Sequence, residues 1–221
     1  MMNSTHESIN DMFLNVRRAY RLLHDYQGMV RDAVRYISDQ LDILEGAGRA
    51  KFAGDAIAGY RYLRQPSWDW LPMMACEFHF VKDIGDNEWL SLSLFIISDT
   101  GFIEGDERMN DKGNLPVAFA TSDLSSSKFA FILRKNHWDP FPFMEDKVQM
   151  RNFIKTGGSL PKDLVETGFV GKCYDMSCLT SEFEADKVVN DVIAFASEKS
   201  WPLELKKSCK DQIKADPHHS Q

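Results

Sequence analysis

Apolar residues between Ile9 and Leu44 recur at alternating steps of four and three: Ile9, Phe13, Val16, Tyr20, Leu23, Val30, Val34, Ile37, Leu41 and Leu44, with Gln27 the one polar member of the row. A row of that period lies along one side of an α-helix, whereas a strand changes sides at every residue and cannot gather it on one face. The spacing therefore predicts a long amphipathic helix over Ile9–Leu44. Met12, Ala19, Tyr26 and Ala33 each precede a member of the row and widen the stripe on one side. A stripe this broad suits packing on a wide surface better than the narrow seam of a two-stranded coiled coil. Gly46-Ala47-Gly48 predicts the stop, because glycine takes the left-handed conformation that closes a helix. Phe52, Ala56, Tyr60 and Leu63 then predict a second helix from near Arg49, so the helical segment 1–64 is expected to be either a helical hairpin or a helix laid over the rest of the domain. Gln65-Pro66-Ser67 breaks it.

Beyond Trp68-Asp69-Trp70-Leu71-Pro72 the period changes from helix to strand. Cys76, Phe78 and Phe80 alternate with Glu77 and His79, and after Gly85-Asp86-Asn87 the residues Leu90, Leu92, Leu94 and Ile96 alternate with Ser91 and Ser93. Folding the chain about Gly85 or Asp86 puts Phe78 opposite the leucine face and His79 opposite the serine face, which predicts an antiparallel hairpin. Further strands are expected at Pro116–Ala120, Lys128–Arg134 and around Phe169–Met176. Helices are expected over Met144–Lys155, ended by Thr156-Gly157-Gly158, and from Ser181 to about Lys199, where Ser181 and Glu184 have the spacing of a capping box. Helices first, then antiparallel strands, then helices is the α+β order: a sheet of four to five strands packed with C-terminal helices. The expected division is a helical segment 1–64, an α+β domain 65–202 and a partly disordered extension 203–221.

The 221 residues carry 26 basic and 33 acidic side chains, a formal charge of -7 that disfavours indiscriminate binding of polyanions through the whole surface. Polar residues stand at the start where a signal peptide would carry its charged and apolar stretches, and no window approaches the ~18 apolar residues of a membrane span. A cytoplasmic protein without membrane contact is expected. Cys76, Cys173, Cys178 and Cys209 are read as reduced thiols. The four residues between Cys173 and Cys178 have no second close Cys or His pair to complete a zinc site. Phosphate-binding loops, dinucleotide fingerprints, zincin helices and serine-hydrolase elbows are all missing, and nothing calls for a metal or another cofactor.

Three features could carry function. Arg17, Arg21, His24, Arg31 and Arg35 fall on one side of the first helix at steps of four, three, seven and four. A row of guanidinium forks can hold phosphates or carboxylates, unless it is only a solvated face neutralised by Asp25, Asp32 and Asp39. Glu77 and His79 share one side of the first hairpin with Ser91 and Ser93, and Asp99 ends the second strand. That set could perform acid/base or metal-assisted hydrolysis, although an antiparallel sheet commonly turns one polar face to water for no catalytic reason. Trp68, Trp70 and the segment Trp138–Phe143 would be interface anchors if exposed and loop pins if buried. The leading expectation is a non-enzymatic binding or regulatory protein that docks an acidic partner, protein or nucleic acid, or self-associates through its N-terminal helix. Gln27 would fix register in the latter case. The alternative is a metal-assisted hydrolase or nuclease built on Glu77, His79 and Asp99.

Overall fold

A computed structural model describes residues 9–50, 75–104, 119–137, 147–160, 162–166 and 168–206. Helix α1 spans Ile9–Leu41, and at 1.5 Å per residue it is about 50 Å long. Its end differs from the expected one by a few residues. Asp42 takes a left-handed φ of 51°, its amide bonds to Asp39 O, and the Ile43 amide reaches back to Ser38 O. That pair of bonds is a Schellman closure, made here by an aspartate whose short side chain tolerates the conformation.

The chain then enters strand β1, Leu44–Ala50, and Gly46 and Gly48 lie inside this strand instead of ending the helix. Glu45 pairs with Phe80 and Ala47 with His79, so Gly46 is the extra residue of a bulge, a second use of glycine that a sequence does not distinguish from a helix stop. Arg49 and Ala50 are accordingly strand, where a second helix was expected to begin. The rest of that expected helix lies outside the described residues, as do Trp68, Trp70, Trp138–Phe143, Cys209 and most of the 203–221 extension.

Strands β2 (Ala75–Gly85) and β3 (Glu88–Ile97) form the expected hairpin, with Phe78 opposite Leu94 and His79 opposite Ser93. Asp86 and Asn87, both at positive φ, make the tight turn whose twist matches a two-residue hairpin loop. A short helix α2 (Gly101–Glu104) follows, then strand β4 (Lys128–Lys135), helix α3 (Lys147–Lys155), the short helix α4 (Lys162–Glu166), strand β5 (Val170–Asp175) and helix α5 (Glu182–Glu198). Of the strand expected at Pro116–Ala120, the described Phe119 and Ala120 are irregular, and Ala120 donates its amide to Gly101 O. Ser181 caps α5 as expected, its hydroxyl accepting from the Glu184 amide. Gly157 closes α3 at φ 69°.

The five strands form one antiparallel sheet in chain order, β1-β2-β3-β4-β5. One face carries Phe78, Phe80, Leu92, Leu94, Phe129 and Phe131, and the C-terminal half of α1 and the length of α5 pack across it. The other face carries Phe95, Ile97, Ala130 and Ile132 under Ile103, Met150, Phe153 and Phe169 from α2, α3 and the approach to β5. Both faces are therefore closed, and the polar side of the hairpin, read above as a candidate solvated face, is interior. None of the described helices is long and apolar enough to cross a membrane.

Candidate protein-interaction surface

The apolar row of α1 divides in the middle. Val30, Val34, Ile37 and Leu41 are at most 1% exposed, against the sheet and α5. Every residue from Asp11 to Asp25 is exposed, among them Phe13, Val16, Tyr20 and Leu23 of the same row. With Met12, Leu14 and Leu22, seven large apolar side chains stand in water over about four turns, on the order of 600 Å² of apolar surface. Met12, Phe13, Val16, Tyr20 and Leu23 share one side of the helix and Leu14 and Leu22 stand on the other, and the largest apolar patch of a monomeric domain is often functional. This half of α1, the arm, is the best-defined candidate surface on the molecule.

The arginine row is divided at the same place. Arg17, Arg21 and His24 stand on the arm, with His24 Nδ1 3.4 Å from Asp25 Oδ1. Arg35, on the packed half, is exposed with Nη1 4.0 Å from Asp32 Oδ1. Arg31 is half-buried and its Nε has no hydrogen-bond partner. The five residues thus belong to two environments and do not form one continuous grip. Gln27 is 5% exposed inside its own domain, so it is covered in cis and has no surface to offer a partner helix.

Beside the packed half of α1 lies a groove of about 360 Å³ between that helix and the start of α5, lined by Met29, Ala33, Leu179 and Ala185 and by the carboxylates Asp32 and Glu182. Tyr36 also lines it and ties the two helices together by donating to Asp186 Oδ1 at 2.7 Å. That bond and its burial raise the Tyr36 pKa to about 12, which holds the donor protonated. Sequence reasoning overlooked this groove, although Leu22, Met29 and Tyr36 stand at seven-residue spacing and so share one side of α1.

On the hairpin, Glu77 is 1%, His79 3%, Ser91 6% and Ser93 5% exposed. Ser93 Oγ donates to Glu77 Oε1 at 2.5 Å and sits 3.1 Å from His79 Nδ1. The single hydroxyl proton of Ser93 goes to the carboxylate, so His79 Nδ1 must be the donor in the second bond. Burial first, and the nearby His137 second, lower the His79 pKa to about 4, which leaves the ring neutral at physiological pH. Asp99 is not part of this chain of bonds: it lies beyond β3, where Oδ1 accepts from the Gly101 amide at 2.7 Å at the start of α2. Among the described residues, no three His, Cys, Asp or Glu side chains converge as a metal site. The arrangement suits a buried polar ladder that fixes the pairing of β2 with β3.

Arg134 and His137 both approach Phe169, the guanidinium carbon at 4.1 Å from the ring centroid and the imidazole centroid at 5.6 Å. Burial pushes the thiols of Cys173 and Cys178 up, to about 11 and about 12, so both are poor nucleophiles.

A closed two-faced sheet, an interior polar ladder and a long helix that is half packed and half exposed describe an α+β protein. The chain belongs to the family designated PM0109, whose model matches residues 6–204. No match was found among curated proteins or among solved structures.

Proposed function

We propose that this is a non-enzymatic binding protein whose working surface is the arm of α1, and that the arm docks a helical protein surface. The observation that carries the reading is the division of one apolar row into a buried half and an exposed half. The exposed half costs solubility, and its large apolar side chains are not part of either core of the described residues. A protein partner is favoured over nucleic acid because seven large apolar side chains share the arm with Arg17, Arg18 and Arg21. Nucleic-acid surfaces are met mainly by charge and hydrogen bonding, whereas amphipathic helices are met by apolar grooves. The hydrolase alternative has Glu77 and His79 nearly sealed from solvent and Asp99 engaged elsewhere.

A photo-crosslinking amino acid in place of Tyr20, which is 62% exposed, tests the proposal in the intact protein in cells. Covalent protein adducts at this position, and none from the same group placed at the exposed Leu124, are the expected result. A chain that forms no adduct through Tyr20 would overturn the reading.

A further inference from the structure

We propose that the occupant of the arm is a second copy of this chain, the two α1 helices packing antiparallel and crossing near Asp25 and Tyr26, so that each arm lies in the partner's groove between α1 and α5. The inference rests on the arm being a binding surface and adds what fills it. Three observations point the same way.

The first is chemical match. The arm offers apolar side chains and the arginines Arg17, Arg18 and Arg21, while the groove offers apolar Met29, Ala33, Leu179 and Ala185 beside Asp32 and Glu182. A basic amphipathic helix and an acidic apolar groove therefore occur on one molecule, in a chain whose overall charge is -7.

The second is spacing. In an antiparallel pair, residues whose numbers share a constant sum face each other, and each contact occurs twice by symmetry. A crossing between Asp25 and Tyr26 sets that sum at 51, which places Leu22 against Met29 of the partner subunit; Ala19 with Ala33 of the partner subunit, and Arg18 with Asp32 of the partner subunit, each lie one residue off strict register and within side-chain reach. Leu22 is 70% exposed, the most of the large apolar residues described on α1, and stands on the same side of the helix as Met29 and Tyr36. Ala19 and Ala33 are small enough to let the helices approach closely. Arg18 is joined to Asp32 rather than to a like charge, and Asp25 at the crossing keeps His24 of its own chain as neighbour.

The third is covering. On the far side of the groove Phe183, in the first turn of α5, is 70% exposed. It follows Glu182 of the groove lining, and its ring carries Lys187 Nζ at 4.9 Å on one face. Each copy contributes an arm and receives one, so the interface is closed and every contact in it occurs twice.

Light scattering of the full chain across a concentration series is the test, with charge exchange as its discriminating arm. The chain is expected at twice its 25.3 kDa mass. Arg18→Asp alone and Asp32→Arg alone should each raise the dimer dissociation constant about tenfold, since each breaks two symmetry-related pairs. The double variant Arg18→Asp/Asp32→Arg should recover most of the loss. Both side chains are exposed, and circular dichroism of each variant should match the parent, so a loss of dimer is not a loss of fold. A chain that stays monomeric at tens of micromolar, or a dimer insensitive to both single exchanges, overturns the proposal. Adducts through Tyr20 to a different protein, with the chain itself monomeric, would overturn the second-copy occupant while leaving the arm as a binding surface.

Discussion

Two substitutions on the two halves of α1, Ile37→Ala and Leu22→Ala, should differ sharply in their cost to stability. Ile37 is 0% exposed and packs among α1, the sheet and α5. Its replacement removes three carbon atoms, about 2.4 kcal/mol of transfer free energy, and leaves a hole that adds on the order of 1 kcal/mol. A loss of about 3 to 4 kcal/mol is expected, a large part of a typical domain's stability. Leu22 is 70% exposed, and alanine is at least as good a helix former, so its replacement should change the isolated chain by no more than about 0.5 kcal/mol. Urea denaturation followed by circular dichroism measures both, at chain concentrations low enough that association does not contribute. If Leu22→Ala costs as much as Ile37→Ala under those conditions, the arm is packed within its own chain and the reasoning fails. If Leu22→Ala is silent when dilute and destabilising when concentrated, the cost belongs to an interface.

Ser93→Ala removes the hydroxyl that joins Glu77 to His79, and because both neighbours stay buried it should cost about 2 to 3 kcal/mol in the same denaturation assay. Stability should also fall with acid. The His79 pKa is about 4 in the folded chain against 6.5 when unfolded, so between those values the unfolded state holds the extra proton and gains from it. The contribution is nil above about pH 7, grows as pH falls through 6.5, and reaches roughly 3 kcal/mol of lost stability at pH 4. Comparing unfolding free energies of the parent and His79→Gln across this window should show the slope flattened in the variant. Gly28 stands inside α1 with nothing within 4 Å of an added Cβ, so Gly28→Ala should stabilise by up to about 1 kcal/mol, seen as a raised Tm. Gly158→Ala should do the reverse, since its φ is +111° and the added Cβ would meet Lys172 Cα at 2.5 Å.

Where a residue's fate is decided by its near neighbours in sequence, the fold was legible. The step pattern of α1, the register of Phe78 on Leu94 and the cap at Ser181 all follow from local periodicity and local hydrogen bonding. Strand β1 was not legible, because a run of glycine and alanine has no period of its own and becomes a strand only when the edge of β2 offers it partners. Nor was the fate of the Glu77 and His79 side. Alternation says that two faces differ, but it does not say that α2, α3 and Phe169 will come to cover the polar one. For α1 the sequence pattern was continuous from Ile9 to Leu41, and only the packed structure shows where the core stops using it. The candidate surface is therefore a boundary, invisible in the pattern because the pattern runs straight across it.

The pairing of α1 with α5 gives the order of synthesis a cost. The strands follow one another along the chain, so each can join its neighbour soon after it leaves the ribosome, but among the described residues the earliest helix packs against the latest. Until the ribosome has passed Glu198, the packed half of α1 lacks the part of its cover that α5 supplies. A message cut short before α5 would yield a product whose α1 is seated on one side only, a substrate for chaperones and proteases.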